Sequence, residues 1–275
     1  MIATATLAST QTTALTTAAL TIAVLMIGTW LVSLVLKNAS IVDIIWGFGF
    51  VSVAWAVRLR VDGLEARQNL LVAMTTIWGF RLAVYLFARN HGKGEDYRYV
   101  RMRKHWGPRF PLISLGTVFA MQGVLMFLVS LPVQLGQTEL TPKLGLLAWL
   151  GVAVWLVGLF FETVGDAQLA RFKKDPSNAG VVMDKGLWRY TRHPNYFGDA
   201  CVWWGIALVA AETTVGRWGL IGAVVMTILL RRVSGVTLLE KSLVKRRKGY
   251  VEYVARTSPF VPRPPKKAAA VSADL

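Results

Sequence analysis

The chain contains a single cysteine, Cys201, so no intramolecular disulfide can form and no thiolate cluster is available to hold a structural zinc. A packing role remains for that thiol, and no metal site is expected. Acidic residues are also scarce, with 15 Asp and Glu against 31 Lys and Arg, a formal charge of +16. The basic residues lie in loops between apolar runs and in the tail. This sets nucleic acid aside as a partner, and positive-inside topology accounts for most of the excess. A polyanionic cofactor accounts for part of the remainder. No Gly-x-Gly-x-x-Gly run occurs in a strand–turn–helix setting, which excludes a Rossmann module. No positively charged n-region precedes the first apolar stretch, so that stretch reads as a retained span and not as a secretory signal. No convincing internal repeat is present.

What the sequence does have is apolar length. Hydrophobic residues make up 54% of the 275 positions, mean hydropathy is +0.47, and the apolar residues fall in long runs. The fold class read from this is all-α: a polytopic integral membrane helical bundle of about seven spans, roughly 14–36, 41–57, 70–88, 112–133, 144–164, 199–211 and 217–231. The last two are short, so a partly immersed helical hairpin turning at Glu212 to Gly216 is the alternative for them. The segments Arg89 to Arg109 and Gly165 to Asn195 and the tail carry most of the Lys and Arg, which places all three in the cytoplasm and the N-terminus outside. Arg58 to Asn69 and Gln134 to Lys143 become the weakly charged external loops. One membrane-embedded domain is expected over 1–261, followed by a disordered cytoplasmic tail over 262–275. The expected location is a bacterial cytoplasmic membrane, with membrane lipids as neighbours.

With no soluble module, chemistry must occur where cytoplasmic loops meet helix ends. The segment Gly186 to Asp199 packs Arg189, Tyr190, Arg192, His193, Asn195, Tyr196, Gly198 and Asp199 between two apolar regions. Ionisable groups beside a bilayer are costly unless they face protein, water or a ligand, so the cluster reads as a site more readily than as a belt of interfacial anchors. Just before it, Glu162, Asp166 and Leu169 stand at i, i+4 and i+7, and Lys173 follows one turn on; if the fifth span continues as helix, they share one face. Gly94 to Tyr99 adds two carboxylates, two phenols and Arg98.

These residues carry a resemblance. Gly186-Leu187-Trp188-Arg189-Tyr190, Arg192-His193-Pro194-Asn195-Tyr196-Phe197-Gly198, Glu240 with Tyr250 and Tyr253, Asp43-Ile44-Ile45-Trp46-Gly47, Trp78-Gly79-Phe80-Arg81-Leu82, Gly94-Glu95-Asp96-Tyr97-Arg98-Tyr99 and Phe161 to Gln168 resemble the DUF1295 branch of the steroid 5-alpha-reductase-like membrane proteins over residues 40–262. That superfamily includes NADPH-dependent reductases of carbon–carbon double bonds and isoprenylcysteine carboxyl methyltransferases, which share the Arg-His-Pro-x-Tyr-x-Gly pattern. The resemblance thus implies a membrane oxidoreductase that reduces a steroid, sterol, isoprenoid or other lipid with NADPH. The alternative is a methyltransferase using S-adenosylmethionine, and the second alternative is a non-enzymatic lipid-binding or transport protein. NADPH brings a pyrophosphate and a 2′-phosphate and needs several cationic donors, whereas S-adenosylmethionine carries a sulfonium and no phosphate; the density of Arg and Lys fits the former. Cofactor contacts are expected from Glu162, Asp166, Lys173, Arg189, Tyr190, Arg192, His193, Asn195, Tyr196, Gly198, Asp199, Arg98, Glu240, Tyr250 and Tyr253. His193 can also order the loop or act as an acid.

Reduction of a polarised alkene needs a donor at the developing enolate and a proton source. In the steroid reductases a tyrosine and a glutamate serve near the substrate carbonyl. Here Trp78 falls at the tyrosine's place, and an indole N–H cannot supply a proton. The candidates are Tyr85 and Tyr97 as phenols, and Asp43 and Glu95 as acids.

Overall fold

A computed structural model describes residues 2–141, 143–233, 240, 243, 247 and 249–266, and every regular element among them is helical. Among the described residues, five helices are long and apolar enough to cross a membrane: Ala8–Leu36, Ile41–Arg58, Glu65–Asn90, Tyr97–Val129 and Leu146–Lys174. The fold is therefore a polytopic helical membrane protein. In chain order we label α1 (Ile2–Leu36), α2 (Ile41–Arg58), α3 (Glu65–Asn90), α4 (Tyr97–Trp106), α5 (Phe110–Ser114), α6 (Met121–Val129), α7 (Leu131–Leu135), α8 (Leu146–Lys174), α9 (Pro194–Ala210), α10 (Leu220–Ile228) and α11 (Tyr250–Arg256). A π-turn over Leu115–Ala120 joins α5 to α6. The tail expected over 262–275 is described only as far as Lys266; the rest of it lies outside the described residues.

Several helix ends differ from the apolar runs. The fifth run stops at residue 164, but α8 continues to Lys174. Its last turns hold Asp166, Gln168, Arg171, Lys173 and Lys174, which interrupt hydropathy without interrupting helix, since straight-chain polar residues are good helix formers. The fourth run begins at 112, but the helical stretch starts at Tyr97, where Asp96 caps α4 by accepting from the Arg98 amide. The sixth run corresponds to α9, which has 17 residues, and the seventh to the 9-residue α10 plus a π-turn to Val233. They form a hairpin whose turn closes through the Thr213 amide on the Ala210 carbonyl, and Trp204 donates across it to Thr227 at 3.1 Å.

The chain falls into two compact units, Met1–Val152 with Ile206–Ala223 and Ala153–Gly205 with Val224–Leu275. In the first, α2 and α3 touch backbone to backbone where Gly47 faces Gly79: a Cβ on Gly47 would lie 2.4 Å from the Gly79 carbonyl oxygen. One turn further, buried Phe50 meets the edges of Trp46 and Trp78, with centroids 5.3 and 5.6 Å apart. The two weakly charged loops meet at one end of this unit, where the Leu64 amide donates to the Glu139 carbonyl and Gln68 to the Gln137 carbonyl. Glu139 in turn accepts from the Val215 amide at 2.6 Å. Buried Arg67 pairs with Glu212 at 3.2 Å at the same end. Burial would push the Glu212 carboxyl up, but the Ala148 and Gly145 amides and Arg67 together hold it below the ordinary range.

Candidate functional site

The second unit brings together the residues the sequence singles out. Because α8 runs on unbroken, Glu162, Asp166, Leu169 and Lys173 do share a face, and both carboxylates are buried. Pro194 opens α9, where its fixed φ suits a first helical position and its missing N–H costs nothing. α9 lies hard against α8: a Cβ on Gly198 would stand 2.5 Å from the Glu162 nitrogen and 2.5 Å from the Gly158 oxygen. Gly198 thus serves helix contact. That approach brings Asn195 to Asp166, where its amide nitrogen donates at 3.0 Å.

The turn before α9 is anchored twice to α8. The Trp188 indole donates to the Gly165 carbonyl at 3.0 Å and the Leu187 amide to the Gln168 side chain at 3.0 Å. From there Thr191 runs beside Ser258 as an isolated parallel bridge, and its hydroxyl donates to the Phe260 carbonyl. Arg192 is nearly enclosed. Its Nε and Nη2 donate to the two oxygens of Glu240 at 2.7 and 3.1 Å, and Nη1 donates to the Val254 and Thr257 carbonyls. His193 Nε2 lies 3.0 Å from Glu240 Oε1, and its ring stacks on Tyr196. Burial would push the Glu240 carboxyl up, yet the hydrogen bonds from His193 and Arg192 and the arginine charge hold it below the ordinary carboxylate range. The Tyr253 hydroxyl donates to the Trp188 carbonyl. Burial, with Glu240 adding to it, pushes the Tyr250 phenol up to about 12.

A cavity of about 150 Å³ opens in this unit, lined by apolar Leu169, Phe172 and Trp188 and by polar Lys173, His193 and Arg247 among others. Ligand pockets usually measure ~300–1,000 Å³, so this cavity is smaller than most. Tyr250 and Tyr253 also line it. Glu162, Asp166, Lys173, Arg192, His193, Asn195, Tyr196, Gly198, Glu240, Tyr250 and Tyr253 therefore form one cluster. Arg189 and Tyr190 are exposed beside it, and Asp199 is half-buried on α9.

Arg98 and the four candidate proton donors fall in the other unit. Arg98 donates to Asp43 at 2.6 Å and to Asp96 at 2.9 Å. The Tyr99 hydroxyl also donates to Asp43, at 2.8 Å, and receives a weaker bond from Gln122. Glu95 accepts from Arg103 and the Ala39 amide; burial would push it up, but these partners hold it down. Tyr97 is largely exposed. Tyr85 lies half-buried with Arg81 and Arg89 each near its ring, at 5.3 and 5.8 Å. Trp78 is fully buried against Phe50. Tyr99, the second phenol of the Gly94-to-Tyr99 segment, and Gln122 are not among the sequence candidates for the donor. The available signal was helical phase, because Tyr97 and Tyr99 project 200° apart on a helix and only one of them can face inward.

The fold and cluster thus define a multi-pass helical membrane protein with a buried polar site at the edge of two packed helices. Residues 29–257 match the model of the DUF1295 family, described as proteins of unknown function, and the chain belongs to that family. An uncharacterised protein of Schizosaccharomyces pombe is 25% identical over 229 residues, 70% of this chain and 66% of that protein. The steroid 5-alpha-reductase DET2 of Arabidopsis thaliana is 34% identical over 61 residues, 22% of this chain and 23% of that enzyme. The chain thus spans just under two thirds of the first relative's length and about a quarter of the second's. No solved structure matches.

Proposed function

We propose that this protein reduces a carbon–carbon double bond in a lipophilic substrate with NADPH, held on the cytoplasmic side by the cluster of α8, α9 and α11. The observation that carries the reading is the folding of the Arg192-to-Gly198 segment onto the acidic face of α8 beside a cavity that exposes Lys173 and Arg247. The local similarity to a steroid 5-alpha-reductase supports the reaction class.

The donor set suits a phosphate-bearing nucleotide. Lys173 and Arg247 line the cavity as cations, Arg247 with its Nη1 donating to the Val181 carbonyl at 2.6 Å, and Trp188, Tyr250 and His193 supply aromatic surface. Arg192 has a different role here. Its nitrogens are occupied by Glu240 and two carbonyls, so it positions His193 and the C-terminal segment. When bound, NADPH supplies a hydride for the β-carbon of a polarised alkene. The α-carbon then needs a proton from this chain. Asp43 accepts from two donors and Glu95 is ion-paired, which leaves the phenols. Tyr85 is the more shielded of the two, since Tyr97 is largely exposed.

The test is a thermal-shift titration of the detergent-purified protein with NADPH and with S-adenosylmethionine, followed by NADPH consumption on fractionated lipid extracts. Stabilisation by NADPH with turnover on one lipid fraction is expected. Stabilisation by S-adenosylmethionine alone overturns the reductase reading in favour of a methyltransferase. Stabilisation by neither, in a monodisperse sample, leaves a lipid-binding or transport protein.

A further inference from the structure

A second cavity, about 270 Å³, opens in the other unit between the end of α1 and the start of α5, and it shares no residue with the α8–α9 cluster. Ser33, Leu34 and Lys37 line it together with Arg103 of α4 and Phe110, Pro111 and Ser114 of α5. α1 is tied to α5 at this place by the Trp30 indole, which donates to the Pro111 carbonyl at 2.9 Å. Lys37 takes a left-handed conformation, φ 52°, as the chain leaves α1.

The charges around this cavity do not cancel. Arg103 directs Nε and Nη2 at Glu95, at 3.0 and 2.9 Å, and lies over the Phe110 ring at 4.5 Å, so that pair is neutral. Its Nη1 has no hydrogen-bond partner among the described residues. The Lys37 ammonium is exposed and lies within ion-pair distance of no described carboxylate. The cavity thus offers one uncompensated cation and one unused guanidinium N–H, together with hydroxyl oxygens of Ser33 and Ser114 that donate only within their own helical turns. Its surroundings are apolar and open. On α1, Val35 is 82% and Leu36 58% exposed, and Leu112 on α5 is 72% exposed. In a membrane helix such residues meet acyl chains.

We infer that this cavity binds the phosphate of an anionic membrane phospholipid, whose acyl chains run along the exposed apolar faces of α1 and α5. A free anion would use the Lys37 and Arg103 donors but gain nothing from the apolar flanks; a lipid headgroup uses both. The inference rests on the membrane fold alone and is independent of the reductase reading.

Full-length protein in neutral detergent would be titrated with phosphatidylglycerol, with phosphatidylcholine of the same chains, and with inorganic phosphate, and thermal unfolding followed by tryptophan fluorescence. Phosphatidylglycerol should raise the midpoint saturably, while phosphatidylcholine and phosphate should not. Lys37→Gln should weaken the effect about fivefold, the share of one interfacial cation. Lys37→Arg should retain it, and the control Arg60→Gln, in the turn just past the end of α2, should leave it unchanged. Equal stabilisation by phosphatidylcholine, stabilisation by phosphate alone, or equal losses in the Lys37 and Arg60 variants would overturn the assignment. Because no arm contains NADPH, failure here would leave the proposed reaction standing.

Discussion

Arg192 and Glu240 form a two-bond pair, Nε to Oε1 at 2.7 Å and Nη2 to Oε2 at 3.1 Å, which ties the residue two before α9 to one 48 positions later. Because His193 meets the same carboxylate, Glu240 is the point through which the Arg-His segment and the C-terminal part of the chain hold each other.

Glu240→Ala should therefore act on stability before it acts on chemistry. It strands a guanidinium that is 7% exposed, and losing one partner of a buried pair costs about 3 kcal/mol. Arg192→Lys, which keeps the charge but cannot bridge both oxygens and two carbonyls, should fall between Ala and the parent. Thermal unfolding in detergent measures both. An Arg192→Lys protein as stable as the parent but blind to NADPH would show that Arg192 contacts the nucleotide directly.

Acid should weaken this clamp. The Glu240 carboxyl lies below its ordinary value of 4.5 when folded. Its contribution is therefore complete above that value and is lost as the pH falls from about 4.5 through the lower folded value. Glu95 and Glu212 are lowered in the same sense, so the informative quantity is the difference between parent and Glu240→Gln. That difference should be constant from pH 7 to pH 5 and shrink below pH 4.5. A difference that grew on acidification would reverse the assigned direction.

Gly198→Ala should be among the most damaging methyl additions in the chain. The new carbon would meet the α8 backbone at 2.5 Å, and helices can separate only by breaking contacts along their length. A loss of about 1–3 kcal/mol is expected from such overpacking. Gly28→Ala, whose added carbon has nothing within 4 Å, should instead be neutral or stabilising by up to about 1 kcal/mol. Equal midpoints for the two variants would mean that α8 and α9 do not pack this tightly.

Asp166 and Asn195 should behave as a coupled pair. Asn195→Asp places two carboxylates where one amide now donates at 3.0 Å, and it should lower both stability and NADPH affinity. The exchange Asp166→Asn with Asn195→Asp restores one donor and one acceptor and should recover most of the stability. NADPH affinity that stayed low in the exchanged protein would assign the Asp166 carboxylate itself to the ligand.

Topology is open to direct labelling. In a Cys201→Ser background, a cysteine at Leu140, which is 79% exposed, should react with an impermeant thiol reagent in intact cells. A cysteine at Ser177, also exposed, should react only after permeabilisation. Gln137 is a poor probe for the same loop because it is fully buried. Labelling at position 177 in intact cells would put the proposed nucleotide site on the wrong side for cytosolic NADPH.

Much of this protein is legible in one dimension. Apolar run length alone indicates a polytopic helical class, because a backbone in hydrocarbon must satisfy its hydrogen bonds within each segment. The i, i+4, i+7 spacing of Glu162, Asp166 and Leu169 predicts their shared face, and the helix bears it out. Helix ends are less legible. Hydropathy reports where a chain leaves lipid, whereas α8 ends only after Lys174, ten residues beyond the last position of the apolar run, since polarity by itself does not stop a helix.

What required tertiary structure was the use made of each polar group. Arg192 reads in sequence as a ligand contact, but partners 48, 62 and 65 residues away occupy its donors. Tyr97 and Tyr99 are equivalent phenols in sequence; packing leaves the first in solvent and sets the second on Asp43, 56 residues earlier. Gly198 reads in sequence as close backbone approach to a ligand or to a neighbouring helix, and the crossing of α8 decides for the helix. The physical reason is common to all three. Composition and periodicity are local quantities that determine which segments become helices and which faces are polar. Whether a donor is left for a ligand depends on which distant acceptors the packed chain has brought within about 3 Å.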